Sequence, residues 1–236
     1  MGHKFQRKKI RNVVTSLVYR LAILPFASRK RKFHLYSDLS WIFHRLSQEY
    51  SFGANTSGEH PARKLTLNYM RKEVGINDTI LDVGCSSGEY SFALSEVCKE
   101  VIGVDYDKKA IDWAKTKYKN NNLSFICADA LDYLQKNDRS FDVMICSHVL
   151  EHLEDPGEFI SQYKQYFRKI YIEVPDFDNS NINILRENFG LPLIYTDSDH
   201  IYEFSREDVE EIIINNGLKI ISCEFRYGVM RYWAER

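Results

Sequence analysis

The stretch Ile80-Leu81-Asp82-Val83-Gly84-Cys85-Ser86-Ser87-Gly88-Glu89 decides the fold of this chain. It starts as an apolar strand and passes through two glycines, Gly84 and Gly88, into the start of a helix. Glycine turns tightly and lets the backbone approach a ligand, and the amides of the following helix then face that ligand. The spacing is neither the G-x-G-x-x-G of dinucleotide-binding folds nor a phosphate-binding loop. Alone, it predicts only a polar ligand at the end of a parallel strand.

Three more apolar segments follow this turn, and each ends in a polar residue. Residues 101–105 end in an acid about 20 residues after the turn, where dinucleotide-binding folds place the acid that binds ribose. Residues 123–129 also end in an acid, and residues 141–147 lead into His148-Val149-Leu150-Glu151-His152-Leu153. Strands that alternate with helical segments predict a parallel sheet with helices on both faces.

Taken together, these motifs resemble the class I S-adenosylmethionine-dependent methyltransferases. The resemblance rests on the glycine turn, Asp105, Asp129 and the block 150–153, which follow the family's order and spacing. It implies an α/β fold with a seven-stranded Rossmann-like sheet of strand order 3-2-1-4-5-7-6. A terminal hairpin around Gly228 would supply the reversed last strand.

The chain is predicted to have two parts. Residues 1–64 form a basic helical extension with a lid, and residues 65–236 form the methyltransferase domain. A turn-rich stretch at 51–61 resembles segments that close over cofactor and acceptor. Residues 176–204 are predicted to form a loop-like insertion, which is long for a compact domain and is therefore expected to be functional.

The resemblance also implies the residues that hold S-adenosyl-L-methionine. The glycine turn would bring backbone close to the methionine part, and Asp82 would support its amino group. Asp105 would accept hydrogen bonds from both ribose hydroxyls, which suits the two oxygens of a carboxylate. Tyr106 would lie along the adenine, and Asp129 would accept from the adenine amino group. The full predicted cofactor set is Asp82, Gly84, Cys85, Ser86, Gly88, Asp105, Tyr106, Asp129, Ala130 and Ser147.

The acceptor side is predicted around the block that follows the fourth strand. Positions i, i+3 and i+4 of a helix share one face, so His148, Glu151 and His152 are expected to converge there. Small-RNA 3′-end 2′-O-methyltransferases and ubiquinone-pathway O-methyltransferases have Glu-x-x-Glu-His here and a later His, which bind a divalent cation. By that resemblance the metal set is His148, Glu151, His152 and His200, with His148 in place of the family's first Glu.

Two alternatives to a metal site stay open at this block. His148 or His152 could act as a general base without metal, since imidazole changes charge near neutral pH. The block could also be a structural turn, as in many members of the superfamily. The candidate catalytic residues are therefore His148, His152 and Glu151.

The leading functional hypothesis is an O-methyltransferase that acts on a hydroxyl of a sugar or glycan in a polysaccharide pathway. The alternatives are a quinone or phenolic small molecule and an RNA 2′-hydroxyl. A non-enzymatic alternative is a scaffold that binds cofactor through the methyltransferase fold. The sequence predicts neither the methylated position nor the oligomeric state.

Charge is unevenly distributed along the chain. Residues 1–32 carry ten Lys or Arg and no acid, although the whole chain of 236 residues has a net charge of −1. The apolar run at 13–27 is interrupted by Arg20 and Pro25 and is shorter than the roughly 20 residues that span a bilayer. The basic segment could pack on the domain, lie on an anionic membrane surface or contact nucleic acid. The acidic remainder disfavours nucleic acid.

Five cysteines without a Cys-x-x-Cys pair favour reduced thiols. We therefore expect a cytoplasmic protein, with a peripheral position at the inner membrane face as the alternative that the basic segment suggests.

Overall fold

The computed structural model describes residues 13–25, 27–54 and 60–236. Predictions for residues 1–12 and for the centre of the turn-rich stretch at 55–59 lie outside the described residues. Three helices precede the sheet: α1 (Val13–Ala22), α2 (Arg29–Ala54) and α3 (Pro61–Met70). The predicted boundary between residues 64 and 65 falls inside α3.

Strands and helices then alternate as predicted. The strands are β1 (Thr79–Val83), β2 (Glu100–Asp105), β3 (Leu123–Cys127), β4 (Phe141–Ser147), β5 (Phe167–Pro175), β6 (Lys219–Arg226) and β7 (Val229–Glu235). The helices are α4 (Glu89–Ser95), α5 (Lys108–Lys117), α6 (Ala130–Asn137), α7 (Pro156–Tyr163), α8 (Ile182–Asn188) and α9 (Arg206–Asn215).

The sheet has the strand order β3-β2-β1-β4-β5-β7-β6, which confirms the predicted topology. The first five strands are parallel to one another, whereas β7 pairs antiparallel with both β5 and β6. The glycine turn therefore lies at the carboxyl end of a central strand. Polar residues at the ends of β1, β2, β4 and β5 all face the same edge of the sheet.

The core lies on both faces of the sheet because successive side chains of a strand point to opposite sides. Leu81 and Met144 belong to one buried cluster, and Ile80 and Val143 belong to the other. Burial on both faces explains why these parallel strands are continuously apolar rather than alternating.

Helix starts follow side-chain caps that the sequence contains. Asp107 accepts from the amides of Lys109 and Ala110 at the start of α5. Ser205 and Asp208 form a reciprocal capping box at the start of α9, as their spacing predicts.

Two segments differ from their predicted form. The segment directly after β4 forms no longer helix than a single 3-10 turn, Leu150–His152. His148 precedes this turn with a left-handed φ of 56°. The insertion at 176–204 is not wholly a loop, since it contains α8 and a 3-10 turn at Phe177–Asn179. None of the helices in the described residues is both long and apolar enough to cross a membrane.

Candidate functional site

The glycine turn forms a cradle that side chains would fill. Gly84 and Gly88 have left-handed φ values of 69° and 78°. A Cβ at Gly84 would lie 2.7 Å from Cγ2 of Val149, and one at Gly88 would lie 2.5 Å from the Phe125 ring. The Gly84 amide donates to the Val104 carbonyl at 2.9 Å, which fixes the turn between β1 and β2. This backbone conformation and close packing require glycine at both positions.

Asp82 is a buried acid beneath this turn, with 3% of its surface exposed. The Ser91 hydroxyl donates to its Oδ2 at 2.5 Å. Burial raises the pKa of Asp82 to about 7; the Ser91 hydrogen bond opposes this shift and the charge of Asp105 adds to it. No Lys or Arg is among the causes of that shift, so the Asp82 carboxylate favours an incoming cationic group.

Asp105 is oriented by two backbone amides. Its Oδ2 accepts from the Ser86 amide and its Oδ1 from the Asp107 amide, both at 2.8 Å. Each carboxylate oxygen has a second lone pair available for a hydroxyl donor. The geometry fits the predicted ribose contact, and the Asp105–Ser86 bond ties the acid directly to the glycine turn.

The predicted adenine side is more open. The Tyr106 side chain is 88% exposed. Asp129 accepts from the Asp132 amide at 2.9 Å and so caps α6, while Ala130 is buried beneath it. The adenine contacts of Tyr106, Asp129 and Ala130 stay predictions.

A cleft of about 1190 Å³ joins the glycine turn to the acceptor side. From the cofactor set it is lined by Asp82, Gly84, Cys85, Ser86 and Ser147; from the acceptor set it is lined by His148, His152 and His200. Residues of α2 and of the insertion form the remaining wall. Of the predicted residues, the structure thus gathers the methionine-side and acceptor-side members into one cleft.

His148 is held between two carboxylates rather than on a helical face. Its Nδ1 lies 2.9 Å from Oε1 of Glu151, and its Nε2 lies 3.4 Å from Oε1 of Glu173. Only a doubly protonated ring donates to both. Its place in the cleft opposes the charged form, but the hydrogen bonds to Glu151 and Glu173 raise the pKa of His148 above its ordinary value. The ring therefore carries a positive charge near neutral pH.

Glu173 is a site residue that the sequence analysis missed. It is 1% exposed at the end of β5 and faces Arg231, its cross-strand partner on β7. Its carboxylate accepts from Ser147 at 3.1 Å, Thr66 at 3.0 Å, Tyr171 at 2.7 Å and Arg231 at 2.5 Å. An acid in the apolar run Ile170-Tyr171-Ile172-Glu173-Val174 was the available signal, because a lone buried charge requires a partner.

Burial would raise the pKa of Glu173, but contacts with His148, Arg231 and Tyr171 lower it to about 2. The carboxylate is therefore ionised and fully hydrogen-bonded. Glu173 and Arg231 build a rigid, charged floor beneath His148.

A group of three potential metal ligands lies beside this floor. Ligand atoms of Glu151, His152 and His200 all lie within 4.8 Å of one another. Oε2 of Glu151 is buried and has no hydrogen-bond partner among the described residues. His148 is not in this group, because its left-handed backbone directs both ring nitrogens to carboxylates. His148 thus contacts Glu151 as expected, but not from a helical face shared with Glu151 and His152, and it lies outside the metal group.

The insertion brings His200 to this group through backbone contacts. The Ile201 amide donates to the Glu151 carbonyl at 2.8 Å. Nδ1 of His200 lies 3.3 Å from Oε1 of Glu203, which leaves Nε2 for another partner. Nδ1 of His152 lies 3.3 Å from the Asp199 carbonyl, so in that bond Nδ1 carries the proton and Nε2 a lone pair.

Helix α2 docks on the insertion through residues spaced four apart. Phe33 packs on Phe189 with ring centroids 5.1 Å apart, and Asp38 accepts from Arg186 at 2.7 Å. Further along, Trp41 Nε1 donates to the Tyr195 carbonyl at 2.7 Å, and Arg45 pairs with Asp197 at 2.8 Å. We call Phe33, Ser37, Trp41 and Arg45 the docking face of α2. It forms the outer wall of the cleft.

Comparison with known proteins finds a family match in the centre of the chain. A family model described as a methyltransferase domain matches residues 81–169, from β1 into β5. This segment, which is less than half of the chain, is therefore similar to a methyltransferase domain. The match includes the glycine turn, Asp105, Asp129 and the acceptor block, but not α2 or the insertion.

Curated relatives match over less than half of the chain. The ubiquinone biosynthesis O-methyltransferase of Coxiella burnetii is 33% identical over 104 residues, which are 43% of this chain and 44% of the relative. That of Pelagibacter ubique is 31% identical over 93 residues, 39% of each chain. The match thus spans less than half the length of these relatives.

Solved structures share the fold over a larger part of the chain. Magnesium protoporphyrin IX methyltransferase from Synechocystis, solved with S-adenosylhomocysteine bound, superposes with a TM-score of 0.59 at 20% identity, covering 82% of this chain and 94% of that one. A methyltransferase from Archaeoglobus fulgidus gives 0.57 at 20% identity, covering 74% and 94%. At these identities the likeness concerns the fold alone.

Proposed function

We propose that this chain is an S-adenosylmethionine-dependent O-methyltransferase whose acceptor is a hydroxyl of a quinone-type or phenolic small molecule. The observation that carries the proposal is the single cleft that joins the glycine cradle to the His148–His152 block. The named relatives support the quinone or phenolic alternative and not the glycan that the sequence analysis placed first.

The residues of the cradle fit the cofactor. Gly84 and Gly88 leave room that a Cβ would take, and Asp82 awaits a cationic group. When bound, S-adenosylmethionine supplies an electrophilic methyl on a positively charged sulfur. Asp105 would hold the ribose, and the buried Asp82 carboxylate near the turn would favour the cationic donor over its neutral product.

Two histidines have different roles on the acceptor side of the cleft. His148, charged and fixed between Glu151 and Glu173, suits a hydrogen bond to a developing phenolate or another anionic group of the acceptor. His152 has its Nδ1 bonded to the Asp199 carbonyl, so its Nε2 can accept the hydroxyl proton. The proposal assigns the general base to His152 and an orienting cation to His148.

A divalent cation is an alternative to the general base, because it would occupy Nε2 of His152. Glu151, His152 and His200 offer one oxygen and two nitrogens, a donor set that suits borderline divalent metals, and Oε2 of Glu151 lacks a partner among the described residues. When bound, such an ion would lower the pKa of the acceptor hydroxyl. The comparisons give no support for this ion. The argument for it rests on the side chains of Glu151, His152 and His200 alone.

Two measurements test the function. Mass spectrometry should detect a methylated product after incubation with labelled donor and a panel of catechols, prenylated quinols and glycan extracts. Methylation of glycans alone would overturn the acceptor class. Asp105→Ala should abolish cofactor binding by calorimetry, whereas Asp112→Ala on the exposed face of α5 should not. Equal affinities of both variants for the cofactor would overturn the assignment of the cradle.

The metal is tested separately from turnover. Metal titration followed by calorimetry should show one site that His200→Ala removes and His34→Ala, on the exposed side of α2, retains. Stoichiometric binding that survives His200→Ala, or no binding at all, would remove the ion from the proposal while leaving the methyl transfer intact.

A further inference from the structure

Helix α2 has a second face that nothing in the described structure covers. Opposite the docking face, an outer stripe of large apolar side chains runs the length of the helix. Its members are exposed by between 36% for Leu39 and 77% for Tyr50. The outer stripe consists of Leu35, Leu39, Ile42, Phe43, Leu46 and Tyr50. Their spacing of three and four residues is that of one helical face.

An apolar stripe at helical spacing ordinarily faces a core. In α2, however, hydrogen bonds and an ion pair hold the docking face on the insertion, so the helix cannot rotate to bury the stripe without breaking them. A contiguous exposed apolar surface of this kind marks an interaction site.

Helix α1 extends this surface. Leu17, Val18 and Leu21 are each more than half exposed. The hydroxyl of Tyr36 donates to the Ala22 carbonyl at 2.5 Å, which ties the end of α1 to α2 near the start of the stripe. This bond places the end of α1 beside the start of the outer stripe.

Charge identifies the kind of partner. The sequence through residue 32 carries ten Lys or Arg and no acid. Arg29, Lys30 and Arg31 are exposed at the first turn of α2, beside the stripe. Apolar side chains flanked by basic residues insert into a lipid surface while the cations meet anionic headgroups.

We propose that α1 and the outer stripe of α2 form a surface that binds an anionic lipid bilayer. The same helix carries the wall of the cleft on its docking face, where Trp41, His44 and Arg45 line the opening. Binding through the outer stripe would hold that opening beside the bilayer. A lipid-soluble quinone-type acceptor could then enter from the membrane, a step that rests on the proposed function.

Vesicle flotation with the full chain tests the surface. The protein should float with vesicles containing phosphatidylglycerol, bind neutral phosphatidylcholine vesicles weakly, and lose binding in high salt. Leu39→Glu/Phe43→Glu should lower partitioning by at least about tenfold, because two buried apolar contacts become charged and repelled. Ile214→Glu, at an exposed apolar position on α9, is the matched control and should float like the wild type.

Two outcomes would overturn the proposal. One is equal flotation of the stripe variant, the control and the wild type. The other is a stable oligomer by light scattering that Leu39→Glu/Phe43→Glu dissociates, since the stripe would then be an interface between copies. Cofactor calorimetry on the stripe variant should remain normal. Lost flotation with normal cofactor affinity confirms the surface, whatever becomes of the proposed acceptor.

Discussion

Asp82 and Glu173 lie in one cleft, and both are almost fully buried, yet their pKa values shift in opposite directions. Burial raises that of Asp82 to about 7, with only the Ser91 hydroxyl as a strong partner. Burial acts on Glu173 too, but His148, Arg231 and Tyr171 outweigh it and lower the pKa to about 2. The cofactor side thus has an acid without a cationic partner, whose ionised form a bound cationic donor would stabilise, whereas the acid of the acceptor side is already paired within the protein.

The largest change in stability is expected when each of the two acids is replaced by its amide. Glu173→Gln removes the buried counter-ion of Arg231 and leaves only the longer contact with Glu224, so we expect it to lower the free energy of unfolding by about 3 kcal/mol. Asp82→Asn removes a charge that lacks an opposite partner and should be neutral or stabilising at pH 8. Urea denaturation of both variants measures the contrast. Similar losses in the two variants would break the comparison.

The pH dependence of stability should separate the same two acids. The folded pKa of Glu173 lies below its unfolded value of 4.5, so its contribution is present above pH 4.5 and is lost as the pH falls toward 2. It amounts to about 3 kcal/mol at most. The folded pKa of Asp82 lies above its unfolded value of 3.8, so stability is lost as the pH rises from about 4 to 7.

These windows are visible as differences between wild type and variant in unfolding free energy. The difference for Glu173→Gln should shrink below pH 4.5. Asp82→Asn should become more stable relative to the wild type as the pH rises from about 4 to 7, because only the wild type loses stability over that range. A pH-independent difference for either variant contradicts its assigned shift.

The rigidity of the cofactor side can be tested with a pair of glycines. Gly88→Ala should cost about 2–4 kcal/mol, because a left-handed backbone and a Cβ 2.5 Å from the Phe125 ring act together. Gly217→Ala is the matched control: its φ of 72° is similar, but nothing lies within 4 Å of the added Cβ. It should cost about 1 kcal/mol. Thermal unfolding measures the loss of stability in both variants. Equal losses would show that the residues around Gly88 can shift to accommodate a methyl group.

The smallest effect of a substitution is expected at the outer wall of the cleft, which the docking face of α2 forms. Trp41→Phe removes the hydrogen bond to the Tyr195 carbonyl, which contributes about 1 kcal/mol. The KM for the acceptor should rise about fivefold while cofactor affinity stays unchanged. Trp113→Phe on the exposed side of α5 is the control and should change neither quantity. A loss of cofactor affinity in Trp41→Phe would show that the two sides of the cleft are not separable.

The cofactor side could be predicted from the sequence because the backbone of one short segment forms most of it. The two glycines and Asp105 are needed at fixed spacings along one short segment, and the strand order follows from alternating elements. The acceptor side depends on contacts between distant segments, such as Trp41 with Tyr195 and His148 with Glu173. A left-handed residue at position 148 was enough to redirect a histidine that helical spacing alone would have placed with the metal group.

The cross-strand pair of Glu173 and Arg231 links the cleft to the order in which the chain folds. These residues are 58 positions apart, and β7 must insert between β5 and β6 before they meet. Contacts of such long range form late, because loop closure must precede them. A partly folded chain with the glycine turn in place but β7 detached would contain a Glu173 carboxylate that lacks Arg231 and keeps only His148 as a cationic partner. The ion pair therefore makes assembly of the cleft cooperative with closure of the whole sheet.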